Sequence, residues 1–344
     1  MTDSGMHVRP LRIRDFLRMS SLRTDAVMPA HERGLFARGV PDAVLSALPI
    51  TRRERRSLVA YDDRAVAGSI DLVDDPVNHR WVVSRVRTSK HIPDADDGSY
   101  GLRSRVWQEL VAEAIRSAGA AGAKRLHAVL DDDSPLIETL QETGFTAYAH
   151  DRVMAIPLPI HTDPTGVTRR QESSDVWAVH HLYHQVTPRP VQYAEAFTSN
   201  YWGRIMPGHA RMRAYVIEDG LEVVAHCRVV LTRQGPALYP MVHPGSRELI
   251  VPLIADVVAD LEPAPEKPLY LVIPDYLQEY ATALEEFDVR ETGCHTRLVK
   301  YTVVARRMQM RSLEEIGSEV VEHAPAGTAT LTYAPARESK RDTH

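Results

Sequence analysis

The feature that most constrains this chain is that one order of predicted elements occurs twice. In each half a strand and a helix are followed by a hairpin, a strand, a long helix, a strand, a second helix and a closing strand. The hairpin strand Leu58–Tyr61, before the turn Asp62-Asp63, matches Ala214–Ile217, before Asp219-Gly220. A diverged duplication of this kind predicts two copies of one α/β unit.

The predicted elements follow the local apolar periodicity and the turn residues. In the first half they are 7–13, a helix 15–27, 57–61, 65–73, 79–88, a helix ending near 119–122, 125–130, a helix ending at 144, and 145–158. In the second half they are 167–170, a helix 175–185, 212–218, 223–232, 237–242, a helix 248–261, 269–273, a helix 277–286, and 296–304.

Domain boundaries follow from the composition along the chain. Residues 159–166 are rich in proline and glycine, which is typical of a linker. We therefore predict one domain at 1–158 and a second, more diverged domain at 167–310. The segment 311–344 has little apolar periodicity and is predicted to be a mobile tail.

Composition excludes several classes of protein. The 344 residues are 44% hydrophobic and 25% charged with a net charge of −5, so no global nucleic-acid footprint is present. Two cysteines are too few for a disulfide scaffold or a cysteine-rich zinc site. No apolar run approaches a membrane span, and the first 14 residues lack the apolar core of a signal peptide. We therefore predict a cytoplasmic protein without membrane or nucleic-acid partners.

Several short motifs resemble those of the GNAT-type acyl-CoA N-acyltransferase superfamily. The strand Leu126–Leu130, a Ser-capped helix and Leu140–Phe145 with its Gly-Phe ending carry most of the resemblance. The opening Val8–Leu11 and the hairpin residues Ala65–Gly68 add to it. The resemblance implies two tandem GNAT-like domains of the α/β (α+β) class, each a mixed, mostly antiparallel sheet flanked by helices.

The resemblance also implies acetyl-CoA as a co-substrate. In such folds the strand before the long helix diverges from its neighbour, and its free backbone groups bind the pantetheine arm. The candidate strand residues are Val86, Arg87 and Thr88. The pyrophosphate would lie at the start of the long helix, where N–H groups point outward.

The candidate phosphate loop departs from the expected pattern Q/R-x-x-G-x-G/A. Its candidate residues are Gly101, Leu102, Arg103, Ser104 and Arg105, and only Gly101 matches. Two alternatives remain open. Arg103 and Arg105 contact phosphate through their side chains, or Arg103 blocks the site and the first copy no longer binds CoA.

The second copy departs further from the family. Its matching stretch Val242–Glu248 has one glycine, and Glu248 would repel a phosphate. Leu140 and Leu284 occupy the positions where the family often has a proton-donating tyrosine. Tyr280 lies one turn earlier and is the candidate acid, with a packing role as the alternative. His243 is the candidate base, with a turn role before Pro244 as the alternative.

Other polar residues allow two interpretations each. His226 is placed to face the same cleft as His243, and Cys227 points to the other face of its strand. Asp131, Asp132 and Asp133 either bind a cation or turn the chain before the next helix. His180 and His184 share a helix face, but no third ligand follows, so we predict no metal site.

Two functions are compatible with these observations. In the first, the protein transfers an acetyl group from acetyl-CoA to an amine of a small molecule or peptide. In the second, it is an inactive GNAT-like module that binds a ligand or a partner. One active and one structural copy is a further alternative, with the first copy favoured for CoA because its helix start is basic. A homodimer is left open.

Overall fold

The computed structural model describes residues 5–36, 55–63, 65–92, 100–160, 163–203, 212–261 and 267–302. They belong to a compact unit that spans Met1–Val303. The predicted tail lies outside the described residues. None of the described helices is long and apolar enough to span a membrane.

The described strands and helices follow the duplicated order. The strands are β1 His7–Pro10, β2 Leu22–Val27, β3 Arg55–Asp62, β4 Ala65–Asp75, β5 Arg80–Ser89, β6 Arg125–Asp131, β7 Thr146–Ile156, β8 Arg169–Arg170, β9 Met212–Asp219, β10 Glu222–Leu231, β11 Pro236–Val242, β12 Leu269–Pro274 and β13 Arg290–Tyr301. The helices are α1 Phe16–Met19, α2 Ala30–Phe36, α3 Tyr100–Ala120, α4 Leu136–Glu142, α5 Val176–Val186, α6 Arg189–Glu195, α7 Ser199–Gly203, α8 Ile250–Leu261 and α9 Glu279–Ala283.

These strands form one continuous sheet in which the two halves exchange their last strands. The order is β1-β3-β4-β5-β6-β13-β7-β12-β11-β10-β9-β8, with β2 beside β5. The last strand of the second half, β13, pairs with β6 of the first half. The last strand of the first half, β7, pairs with β12 of the second half. Because β7 and β13 also pair with each other, the two halves share a hydrogen-bonded core. The predicted mixed, mostly antiparallel sheet flanked by helices is confirmed, and both halves contribute strands to it.

Side-chain alternation gives the sheet two different faces. On one face, Trp81 and Leu126 pack against Leu110 of α3 in the first core. On the same face of the second half, Cys227 packs near Leu253 of α8 in the second core. The residues between these apolar positions therefore point to the opposite face, where the polar groups described below are found.

The same ion pair occurs at equivalent positions in the two halves. Arg9 of β1 bonds to Asp15 at 2.7 Å, and Arg169 of β8 bonds to Asp175 at 2.7 Å. Each carboxylate also accepts a backbone N–H three residues earlier, at 2.8 Å and 2.7 Å. The pair holds the first strand of each half against the turn that follows it.

The segment predicted as a linker is held against the second half. The carboxylate of Asp256 on α8 accepts the backbone N–H groups of Thr165, Gly166 and Thr168 at 2.5–3.0 Å. The division into two domains at this segment stays a prediction, because the described residues on both sides share one sheet.

Two predicted helices differ from the structure. The helix predicted for residues 15–27 is wrong beyond Met19, since Leu22–Val27 is strand β2. Leu22 and Ala26 are buried, and the segment pairs with the edge of β5, a partner that local periodicity does not reveal. The helix predicted for residues 277–286 is α9 with short 3-10 turns on either side.

Candidate functional site

Both halves contain the diverging strand pair that the resemblance implies. The parallel pairing of β5 with β6 runs only from Arg80↔Arg125 to Val82↔His127. The parallel pairing of β11 with β12 has only Ala237↔Tyr270 and Leu238↔Leu271. Each pair then separates and leaves a wedge, which we call the first wedge and the second wedge.

The first wedge is filled by the protein's own strand β2. Beyond Val82, the edge of β5 that β6 leaves pairs with β2 through Arg23↔Thr88, Thr24↔Arg87 and Ala26↔Val86. The other edge of β5 pairs with β4. The backbone edge of the candidate residues Val86, Arg87 and Thr88 is therefore occupied in this structure.

An intramolecular carboxylate lies at the start of α3, beside the first wedge. Asp25 of β2 accepts from Arg103 Nη2 at 2.5 Å and from Trp107 Nε1 at 3.2 Å. Its side chain is only 1% exposed. The guanidinium of Arg103 also lies over the Trp107 ring, 4.8 Å from its centre. Arg103 therefore binds an anion supplied by the chain itself.

The remaining residues of the candidate phosphate loop form the first turn of α3. Gly101, Leu102 and Arg105 are exposed, and Ser104 is half-buried. A Cβ atom added at Gly101 would meet no atom within 4 Å, so no close approach in this structure requires glycine there. The role of these residues in cofactor binding stays a prediction.

None of the described strands fills the second wedge, but its edge offers few hydrogen-bond donors. The N–H of His243 bonds across to Val224 of β10, so alternation turns the groups of Val242 toward the wedge. Both the N–H and the C=O of Val242 bond to the Tyr280 hydroxyl at 2.9 Å. Pro240, which has the same orientation, carries no N–H.

The candidate catalytic residues Tyr280 and His243 therefore both lie at the second wedge. Tyr280 is buried, and burial raises the pKa of its phenol to about 12. His243 Nδ1 accepts the N–H of Gly245 at 3.1 Å and caps a 3-10 turn. Both side chains thus have structural partners, and their roles as acid and base stay predictions.

A cavity that the sequence did not reveal lies on the polar face of the sheet, between the halves. It has a volume of about 100 Å³, and we call it the central cavity. Strands of both halves form its floor, and α2, α5, α6 and α7 supply residues above it. Its charged lining residues are Glu32, Arg80, Glu195, Arg228 and Arg297, and its aromatic lining residues are Tyr148, Tyr183, Phe197, Tyr201, Trp202, Tyr239 and Tyr276.

Arg297 of β13 is surrounded by three carboxylates at the cavity wall. It bonds to Asp151 at 2.5 Å and to Glu32 at 3.1 Å, and it lies 3.4 Å from Glu195. Burial raises the pKa of Asp151 and of Glu195. Burial acts in the same direction on Glu32, but the positive charges around it, Arg297 first and Arg228 among them, together outweigh burial, so the pKa of Glu32 is lowered.

Arg228 of β10 differs because it has no carboxylate partner. It is 9% exposed, and its Nη1 donates to the Tyr201 hydroxyl. Its guanidinium lies 4.6 Å from the ring centre of Tyr239 and 5.3 Å from that of Tyr201. Among the described residues it makes no salt bridge, and its buried Nε has no hydrogen-bond partner. The cavity wall thus contains a buried cation with unused donor capacity.

Two histidines complete the polar lining. His226 faces the cavity, where its Nε2 lies 3.2 Å from Gln171 Oε1, and burial lowers its pKa to about 3. Burial also lowers the pKa of His127 well below its ordinary value. Both rings are therefore neutral near pH 7. Cys227 points to the opposite face as predicted, and burial raises its pKa to about 12.

His180 and His184 share a face of α5, as predicted. Their Nε2 atoms are 3.2 Å apart, and each ring has a further partner in Trp202 or Gln192. No group of three side chains placed for a metal ion occurs within the described ranges.

Comparison with known proteins gives similarity to solved structures only. No protein-family model and no curated protein matches the sequence. The structure is similar to a tandem GNAT protein from the clavulanic acid biosynthesis pathway, with a TM-score of 0.49 and 13% identity, covering 88% of this chain and 100% of that one.

Two further solved structures are similar over the same share of this chain. A GCN5-related N-acetyltransferase from Sphaerobacter thermophilus has a TM-score of 0.47 and 12% identity, covering 88% of this chain and 98% of that one. A putative acetyltransferase from Pyrococcus horikoshii has a TM-score of 0.47 and 13% identity, covering 88% and 91%. The description of the fold therefore stands on the repeated element order and the strand pairing of this chain.

Proposed function

We propose that this protein binds a small organic anion, a carboxylate with an apolar or aromatic body, in the central cavity. The observation that carries the proposal is the buried guanidinium of Arg228 in the cavity wall, which makes no salt bridge to any described carboxylate. Glu32 attracts Arg228 without bonding to it, and a bound carboxylate would supply a direct partner and an acceptor for the buried Nε.

The other two arginines of the wall already have carboxylate partners. Arg297 is matched by three carboxylates, and Arg80 bonds to Asp75 at 3.0 Å. Arg228 is thus the wall cation that lacks a carboxylate among the described residues. The tyrosine and tryptophan rings around it suit a flat apolar body.

The cavity volume limits the size of the ligand. One buried water molecule needs about 10–15 Å³ of cavity volume. If each non-hydrogen atom of a ligand takes the place of one water, the cavity of about 100 Å³ accommodates roughly 7–10 such atoms. Benzoate, with a carboxylate on one aromatic ring, is a probe of this size.

Calorimetric titration with benzoate and a panel of small carboxylates tests the proposal. We expect one saturable site per chain, at least tenfold weaker binding of benzamide, and at least tenfold weaker binding of benzoate to Arg228→Gln. Arg213→Gln on β9 is the matched control, because Arg213 is a partly exposed arginine that bonds to Asp260 and does not line the cavity. Equal affinity in the two variants, or no binding across the panel, would contradict the proposal.

A second candidate is acyl-CoA-dependent transfer of an acetyl group to an amine of a small molecule or peptide. The observation in its favour is that the cavity lining includes Pro240 and Met241 of β11 and Val272 and Pro274 of β12. An acceptor in the cavity would thus lie beside a thioester in the second wedge. In this candidate His243 assists as base and Tyr280 as acid, and Tyr280 must first release Val242.

We place the anion-binding proposal first because of the two wedges. The first contains β2 and Asp25, and the donors of the second are bonded to Tyr280 or absent at Pro240. Acetyl-CoA turnover with an amine library, lost in Tyr280→Phe, would favour the second candidate. The cytoplasmic location and the homodimer stay predictions from the sequence.

A further inference from the structure

A second pocket lies on the same face of the sheet, on the other side of α2. Glu32 of α2 lines the central cavity, whereas its neighbour His31 lines this second pocket. Two strands also line both pockets at neighbouring positions. On β6, Val129 lines the central cavity and Asp131 lines the second pocket, and on β13 Arg297 and His295 do the same. The pocket is therefore a separate chamber built by both halves.

We call this chamber the acidic pocket. Its volume is about 670 Å³, within the range of small-molecule sites. Its lining residues are Pro29, Ala30, His31, Asp131, Asp132, Asp133, Val153, Thr232, Gln234, Ala237, Tyr270, Thr292, Gly293, Cys294 and His295. These described lining residues include three aspartates and no lysine or arginine, so their charge favours a cation.

Two buried histidines provide an observation independent of the acidic cluster. His31 is 9% exposed and His295 is 7% exposed, and their ring centres are 5.1 Å apart. Within the part of the chain that the structure describes, His31 Nε2 and His295 Nδ1 have no hydrogen-bond partner. Burial lowers the pKa of His31 to about 4, so its ring is neutral near pH 7 and has an acceptor nitrogen.

The acceptors of the pocket do not form a ready metal site. His295 Nε2 lies 3.1 Å from Asp131, and Asp132 accepts from Thr296 at 2.5 Å. No three ligands in the described part of the chain are placed for a metal ion. An ammonium group needs only dispersed acceptors and a negative field, and this arrangement offers both.

We propose that the acidic pocket binds an organic ammonium ion, specifically the amine of a short alkyl diamine. Its ammonium groups lie against Asp131 and Asp132, and the unpartnered histidine nitrogens accept its remaining N–H groups. Its alkyl chain packs on Val153, Ala237 and the ring of Tyr270. The site is distinct from the central cavity and does not depend on the function proposed for it.

Calorimetric titration of the full chain with putrescine at low ionic strength tests this site. We expect one site per chain, at least tenfold weaker binding to Asp131→Asn, and no binding of 1,4-butanediol, which has the same chain length without charge. Asp219→Asn, at the exposed β9–β10 turn, is the matched control and is expected to bind like the wild type. Thermal unfolding verifies that each variant is folded.

A second readout needs no variant. Side-chain 15N resonances of His31 and His295 are expected to shift on saturation with putrescine, and to keep that shift when benzoate is added. Three results would overturn the proposal. They are several weak sites that Asp219→Asn weakens as much as Asp131→Asn does, equal binding of putrescine and 1,4-butanediol, and unchanged histidine resonances.

Discussion

At the scale of single residues, two arginines in one cavity wall have opposite roles. Arg297 contacts three buried carboxylates, so its charge is part of the structure. Arg228 has hydroxyl and ring partners but no carboxylate among the described residues. The sequence shows both as arginines on predicted strands. Their difference depends on partners far away in the chain, such as Glu32, which is 265 residues from Arg297.

Replacing each arginine by methionine distinguishes these roles. Arg297→Met is expected to lower the free energy of unfolding by about 3–5 kcal/mol, because it leaves buried carboxylates unpaired. Arg228→Met is expected to change it by less than about 1.5 kcal/mol, because no carboxylate loses its partner. Urea unfolding at pH 7 measures both, and similar losses in the two variants would refute this difference.

The buried histidines predict a dependence of stability on pH. The pKa of His226 falls from 6.5 in the unfolded chain to about 3 in the folded protein, through burial. In that window the unfolded chain binds the extra proton, so the stability that His226 contributes is full above pH 6.5 and is lost as pH falls.

Urea unfolding of His226→Gln and the wild type between pH 7 and 4 isolates this contribution. The free-energy difference between the two is expected to change by up to about 1.4 kcal/mol per pH unit. His181→Gln, at an exposed position on α5, is the control. A difference that is constant with pH would show that His226 titrates alike in both states.

At the scale of elements, β2 is the main departure from what the sequence predicted. The duplicated order was predictable because strands and long helices carry their periodicity locally, as in Val106–Ile115 of α3. The exchange of last strands was not predictable, since it depends on which strand edges β7 and β13 pair with in the folded protein. Strand β2 was not predictable either, because its partners are distant in the chain. Its Asp25, for example, bonds to Arg103, which follows 78 residues later.

Hydrogen exchange tests the covering of the first wedge. Amides in the segment 85–89 of β5 that point toward β2 are expected to be as protected as those that point toward β4, because both edges are paired. Saturating acetyl-CoA is expected to leave this protection unchanged. Rapid exchange of the β2-facing amides, or a change with acetyl-CoA, would show that β2 leaves the wedge.

At the scale of the whole molecule, the exchanged strands make the two halves interdependent. Within the described sheet, β7 pairs only with strands of the second half, namely β12 and β13. The first half alone therefore lacks a partner for β7 and a neighbour for the exposed edge of β6. The central cavity exists because strands of both halves meet at this junction.

Expression of residues 1–160 alone tests this interdependence. We expect a dimer in which β7 of each chain takes the place of β13 beside β6 of the other, since the two closing strands occupy equivalent positions. Sedimentation measures the mass, and circular dichroism follows concentration-dependent unfolding. A stable, folded monomer would show that the exchange is not needed.

We propose that the two halves enclose an anion site and that neither wedge holds acetyl-CoA. Calorimetric titration of the purified full chain with the small carboxylates and, separately, with acetyl-CoA tests it most directly. We predict one carboxylate site per chain and no acetyl-CoA binding up to millimolar concentration. Micromolar acetyl-CoA binding together with no carboxylate site would contradict the account and establish the acyltransferase candidate as the better one.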